Sequence, residues 1–157
     1  MKEINGELSA GGLKIAIVAS RFNSFLVEQL VKGATDAFVR LGGDEEDLTL
    51  VRVPGAYELP LVAKTLAAKG SCDAVVCVGA VVQGATAHAG LITTTTARAF
   101  SEISLSCGVP VTDGVVTAEN LEQAVERSGS KEGNRGAAAA ESAIEMVNVL
   151  GQIPKGK

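Results

Sequence analysis

One histidine, His88, occurs in 157 residues, at the end of the stretch Val78-Gly79-Ala80-Val81-Val82-Gln83-Gly84-Ala85-Thr86-Ala87-His88. An imidazole can take a proton and return it near neutral pH, so acid/base catalysis is the chemistry it offers; a helix-capping or hydrogen-bonded core histidine is the plainer alternative. The residues before it read as a buried strand, a small-residue turn and the start of a helix. Such a turn leaves unpaired backbone N–H groups, and Gly84, Ala85 and Thr86 would let an anion such as a phosphate monoester approach them closely. Tight β-to-α packing uses the same residue types, so both readings stay open. Phe22 could stack on a planar ring or close over the core. Arg127, Lys131 and Arg135 bracket a glycine-bearing loop and could clamp a phosphate from a neighbouring chain, or simply face solvent. Glu58, after Pro54-Gly55-Ala56-Tyr57, could equally begin a helix, where an acid complements the dipole.

The elements that must position these groups follow from periodicity. Aliphatic runs at 13–19, 48–53, 73–79 and 110–116 predict buried strands. Between them, apolar residues recur at three and four from Phe25 to Leu41, with Asn23 or Ser24 as cap and Gly42-Gly43 as stop. Further helices are expected from about Tyr57 to Ala68, His88 to Ser106, Glu119 to Glu126, with Thr117 or Asn120 as cap, and Arg135 to Leu150. The run Thr93-Thr94-Thr95-Thr96 sits inside one of them, and four β-branched residues there need support beyond local preference. Alternation of strand and helix predicts an α/β fold, a doubly wound sandwich on a four-stranded parallel sheet. Ligands of such sheets sit beyond the carboxyl ends of the strands. Those ends are expected at Arg21-Phe22-Asn23, Pro54 to Glu58, Gln83 to His88 and Thr112-Asp113-Gly114.

The length suits a single domain over 1–157, with 1–10 as an N-terminal arm and 151–157 as a loose tail. Hydrophobic residues make up 46%, aromatics only 3%, and the mean hydropathy is +0.27. Small aliphatics therefore build the core, and the apolar excess points to burial against other subunits, a homo-oligomer. A net charge of −4 without basic runs argues against nucleic acid and anionic membranes as partners. No apolar run approaches the roughly 20 residues of a spanning helix and no signal-peptide core is present, which predicts a cytoplasmic protein. Cys72, Cys77 and Cys107 are odd in number and lack CxxC spacing, so buried free thiols and no metal are expected.

Taken together, Ala19-Ser20-Arg21-Phe22-Asn23, Val53-Pro54-Gly55-Ala56-Tyr57-Glu58-Leu59-Pro60, Gly84-Ala85-Thr86-Ala87-His88 and Arg127-Ser128-Gly129-Ser130-Lys131-Glu132-Gly133-Asn134-Arg135-Gly136 resemble the lumazine synthase family, over about residues 5 to 150. The resemblance implies a flavodoxin-like three-layer sandwich. It also implies condensation of 5-amino-6-ribitylamino-pyrimidinedione with 3,4-dihydroxy-2-butanone 4-phosphate, giving 6,7-dimethyl-8-ribityllumazine, phosphate and water without metal or organic cofactor. By the same resemblance Phe22 stacks on the pyrimidine, and Ala56, Tyr57 and Glu58 contact the ribityl chain. Val81 and Val82 hold the ring edge. Gly84, Ala85 and Thr86 hold the phosphate together with Arg127 of an adjacent subunit and Arg135, where the family commonly has lysine. His88 is implied as the proton shuttle, and Asp113 stands where an aromatic or asparagine generally covers the pyrimidine. The site is implied to be shared within a homopentamer, and twelve pentamers form an icosahedral shell of 60 subunits in many members.

Four features depart from the family pattern. Gln83 replaces the usual arginine, Ala89-Gly90 an aromatic-acidic pair, and the Thr93–Thr96 run and Asp113 are unusual. A carboxylate at 113 would repel phosphate or be costly to desolvate unless paired. Two alternatives therefore stand beside the enzyme: a self-assembling pentamer or cage component on that scaffold, natural or engineered, with weak or no catalysis, and a flavodoxin-like phosphate or nucleotide binder without turnover.

Overall fold

The first aliphatic run forms β1 (Ile15–Ser20), buried along its whole length, and the strand turns out of the sheet at Arg21-Phe22. The computed structural model describes residues 1–84, 87–131 and 133–156. In chain order the elements after β1 are α1 (Ser24–Arg40), β2 (Leu48–Val53), α2 (Leu59–Lys69), β3 (Ala74–Val82) and α3 (His88–Cys107). Then come β4 (Val111–Ala118), α4 (Leu121–Arg127), the short strands β5 (Ser128–Ser130) and β6 (Gly133–Asn134), and α5 (Arg135–Gln152).

Strands β2-β1-β3-β4 form a parallel four-stranded sheet in that order. Parallel neighbours require crossovers, and the helices supplying them cover both faces. Alternation along each strand divides the core in two. Ile15, Ile17, Val76 and Val78 pack with α1 and α5, whereas Ala16, Val18, Val75 and Cys77 pack with α2 and α3. This is the flavodoxin-like three-layer sandwich. Gly70 and Gly108 end α2 and α3 in the left-handed conformation, φ 67° and 66°, which costs glycine little.

Several boundaries differ from the sequence expectation. β3 runs on to Val82 and β4 to Ala118, because each end keeps its ladder with the other: Val81 pairs with Thr117 and Val82 with Ala118. Thr112-Asp113-Gly114 is thus not at the carboxyl edge; Asp113 lies opposite Cys77, inside the ladder. Asp113 is tolerated because β4 is an edge strand and its Oδ1 accepts the Val115 N–H at 2.9 Å. Asn120 and not Thr117 caps α4, accepting from Gln123 N at 2.9 Å. Tyr57 belongs to a 3₁₀ turn, Ala56–Glu58, that precedes α2. The loop after Arg127 contains the antiparallel pair β5–β6.

Cys77 alone of the three thiols is buried; Cys72 and Cys107 are half-buried. Burial, and after it the charge of Asp113, pushes the Cys77 thiol up, which makes it a poor nucleophile. The N-terminal residues lie along α5, where Asn148 Nδ2 donates to Ser9 O at 2.9 Å and Gln152 Nε2 to Asn5 O at 2.7 Å. No helix among the described residues is long and apolar enough to cross a membrane.

Candidate active site

The chain steps from β1 to β2 on one side and then crosses to β3 on the other, so the loops leaving β1 and β3 diverge. A crevice at that switch point is the expected result. The structure has a cavity of about 430 Å³ there. Phe22 and Asn23 reach it from the end of β1, Gly55 to Glu58 from the turn after β2, and Ala80, Val81 and Val82 from β3. Gly84, His88, Ala89 and Ile92 complete it from the turn and α3. The walls are apolar with a few polar groups, the usual character of a small-molecule site. Phe22 and Tyr57 are 73% and 67% exposed, so their rings have free faces.

The rim is held by backbone. Arg21 N donates to Val53 O at 2.8 Å and Phe22 N to Pro54 O at 3.2 Å, which ties the loop after β1 to the loop after β2. Glu58 Oε2 accepts the Gly55 N–H at 3.0 Å, so its carboxylate is fixed beside the cavity as it starts α2. Asn23 is the one non-glycine with positive φ among the described residues, at 59°. It does not cap α1 through its side chain; Nδ2 instead donates to Ala80 O at 2.9 Å, across to β3. Asparagine tolerates this conformation because its amide can satisfy a nearby backbone group. In the sequence Asn23 stands as a candidate cap at the expected ligand edge, but nothing local signals its bond to Ala80, and Ile92 carries no signal.

His88 is the first residue of α3, and the capping residue Ala87 offers no side-chain acceptor. The first N–H groups of the helix therefore lack a side-chain cap, the condition under which an anion is favoured. Ala85 and Thr86, assigned to phosphate from the sequence, lie outside the described residues.

Three predicted site residues do not reach this cavity within one chain. Arg127 ends α4, and its Nη1 donates to Gln123 O at 3.3 Å. Arg135 begins α5 with Nη2 3.9 Å from Asp113 Oδ2, and the two line a separate cleft with Thr112, Ala138, Ala139 and Ser142. The Asp113 carboxylate is thus paired, with Val115 N–H on one oxygen and a guanidinium near the other.

Residues 12–151 match the sequence profile described as 6,7-dimethyl-8-ribityllumazine synthase. The chain belongs to that family. A 6,7-dimethyl-8-ribityllumazine synthase of Desulfotalea psychrophila is 50% identical over 147 residues, 94% of this chain and 95% of that protein. Proteins of the same name from Nitratidesulfovibrio vulgaris strain DP4 and from Chlorobium limicola are each 48% identical over 153 residues. Those alignments cover 98% of this chain, and 98% and 99% of the respective relatives. Of Gln83, Ala89 and Gly90, the positions read from the sequence as departures, only Ala89 lines the cavity. Ala89 is buried in its wall, Gly90 is exposed and a Cβ there would meet nothing within 4 Å among the described residues, and the exposed Gln83 holds its turn by donating its backbone N–H to Ala118 O at 2.8 Å.

Proposed function

We propose that this protein joins 5-amino-6-ribitylamino-pyrimidinedione to 3,4-dihydroxy-2-butanone 4-phosphate, forming 6,7-dimethyl-8-ribityllumazine for riboflavin biosynthesis. The observation that carries the proposal is the gathering of Phe22, Ala56, Tyr57, Glu58, Val81, Val82, Gly84 and His88 around one cavity in a chain of this family. Phe22 is suited to stack on the flat pyrimidine, and Val81 and Val82 to exclude water from its edge. The carboxylate of Glu58 and the backbone at Ala56 and Tyr57 are suited to hydroxyls of the ribityl chain. The phosphate would lie over the helix start, on Gly84, Ala85 and Thr86.

The chemistry needs proton transfer more than anything else. The amine attacks the ketone carbonyl, a proton moves from nitrogen to oxygen, and water leaves to give the imine. Loss of a carbon-bound proton then accompanies departure of phosphate, and ring closure expels further water. His88 would shuttle these protons, and no metal or organic cofactor enters. The cavity wall holds no arginine or lysine among the described residues of one chain. A phosphate dianion there calls for a cation, which supports a homo-oligomer in which Arg127, with Arg135 and Asp113, comes from a neighbouring subunit. A pentamer, and a 60-subunit shell built from it, fits this reading. The partners are thus small molecules and copies of the chain, in the cytoplasm, with no nucleic acid and no membrane.

Mixing the two substrates and following the product by absorbance and fluorescence tests the proposal: the expected rate exceeds the slow uncatalysed condensation, and equality would sink it. Arg127→Ala is expected to raise KM for the phosphate-bearing substrate by roughly ten- to a hundred-fold, the worth of a charge-assisted hydrogen bond. An unchanged KM would remove Arg127 from the clamp.

A further inference from the structure

The threonine run is the feature of α3 that local preference leaves unexplained, and its contacts lead back to His88. The first turn of α3 is weakly held. Ala87 gives no side-chain cap, and the first intrahelical bond, Leu91 N to Ala87 O, is long at 3.4 Å. Gly90 has no side chain to brace the turn, and a Cβ built on it would meet nothing within 4 Å among the described residues. Yet this turn carries His88 and forms the cavity wall with Ala89 and Ile92.

One turn further on, Thr93 Oγ1 donates to Ala89 O at 2.9 Å and lies 3.0 Å from Thr117 Oγ1. A hydroxyl has a single hydrogen, so with that of Thr93 committed to Ala89, Thr117 must be the donor between the two. The result is a directed chain, Thr117 O–H to Thr93 O–H to Ala89 C=O, in which each bond polarises the next. Thr96, 2% exposed, donates to Thr93 O at 3.1 Å and so braces the next turn, on which Thr93 stands. Thr117 is the penultimate residue of β4, and its neighbour Ala118 accepts the Gln83 N–H at 2.8 Å. The chain is therefore moored to residues 117–118 of β4 on both sides of the turn between β3 and α3, at Gln83 before it and at Thr93, one turn into the helix, after it.

We propose that the Thr93–Thr117 hydroxyl contact is a latch that positions the first turn of α3, and with it the His88 imidazole, over the cavity. Thr93 and Thr117 are positioning residues, acting on the substrate only through His88 and its turn. The functional part of this inference rests on the lumazine-forming reaction proposed above. β-Branched residues at 93 to 96 are then not a liability, since a threonine can bond back to the preceding turn and still reach across to the sheet.

The test uses the whole assembled protein and four variants: Thr93→Val, Thr117→Val, their double, and Thr93→Ser. Each valine keeps the shape and removes the hydroxyl. The expected result is a fall in kcat of about ten-fold for Thr93→Val, smaller for Thr117→Val, with KM for the pyrimidine unchanged. The double variant is expected to be no slower than Thr93→Val alone, because the two hydroxyls act as one unit, and Thr93→Ser to restore the rate. A second readout does not need turnover. With one histidine in the chain, ¹³C-labelled histidine gives one imidazole signal; it is expected to be single in wild type and Thr93→Ser, and broadened or doubled in the valine variants. If the wild type makes no lumazine, the reaction is wrong, and the latch is judged by the imidazole signal alone. If the signal is the same in all five proteins, the latch is overturned whatever the rates.

Discussion

Replacing His88 by alanine lowers turnover by roughly ten- to a thousand-fold, the range for removing a general acid/base, while the assembled fold persists. The reasoning begins with position. His88 lines the cavity as the first residue of α3, and alanine has the higher helix propensity, so the substitution removes no support from the helix. What disappears is a group able to accept a proton from the attacking amine and give it to the departing water. His88→Gln separates this from mere hydrogen bonding, since an amide can donate and accept but cannot exchange a proton at neutral pH. Both variants are expected to be slow, with KM values close to wild type. Equal rates in wild type and His88→Ala would place His88 among the structural residues. A normal rate in His88→Gln alone would make its role one of orientation.

The sheet was legible because its signals are local. Runs such as Ile15 to Ala19 and Ala74 to Val78 are aliphatic throughout, as strands buried on both faces must be, and the helices between them announce themselves by period. The edges were less so. Asp113 and Gly114 interrupt the last aliphatic run, and nothing in composition reveals that an edge strand can satisfy Val115 N–H with the Asp113 carboxylate and continue to Ala118. The left-handed Asn23 was hidden for a similar reason, because its bond to Ala80 O spans 57 positions. Motif matching found most of the cavity, since Phe22, Ala56 to Glu58 and His88 each sit beside a strand end. It could not divide those residues from Arg127 and Arg135, which share the motif set, or from Asp113, although none of the three lines that cavity. That division depends on where the edge of the sheet meets α5, a property of packing and not of any single stretch.

The junction of α5 with α1 is where a single methyl group is expected to do the most damage to stability. A Cβ at Gly136 would lie 2.1 Å from Leu30 O and 2.8 Å from Leu30 C, both backbone atoms of α1 that cannot swing away. Just beside it, Gly33 leaves room for the Asn134 side chain, whose Nδ2 donates to Gln29 O at 2.8 Å and whose Oδ1 accepts the Ala137 N–H at 3.1 Å as the α5 cap. Two effects oppose each other in Gly136→Ala. Helix propensity favours alanine by about 1 kcal/mol. Overpacking against rigid backbone costs roughly 1–3 kcal/mol and more when no side chain can yield, and with a 2.1 Å approach the upper end applies. The clash wins by about 2 kcal/mol, so Gly136→Ala is expected to lower Tm by about 4–8 °C, at roughly 2–4 °C per kcal/mol for a chain of this size. Gly151→Ala in the same helix meets nothing within 4 Å among the described residues and is expected to leave Tm unchanged or slightly raised. Because Arg135 adjoins Gly136 and faces Asp113, separating the helices also shifts that pair, so the KM for the phosphate-bearing substrate should rise in Gly136→Ala and not in Gly151→Ala. A Gly136→Ala protein as stable as wild type would mean that α1 and α5 are not held as closely as the Leu30–Gly136 contact requires.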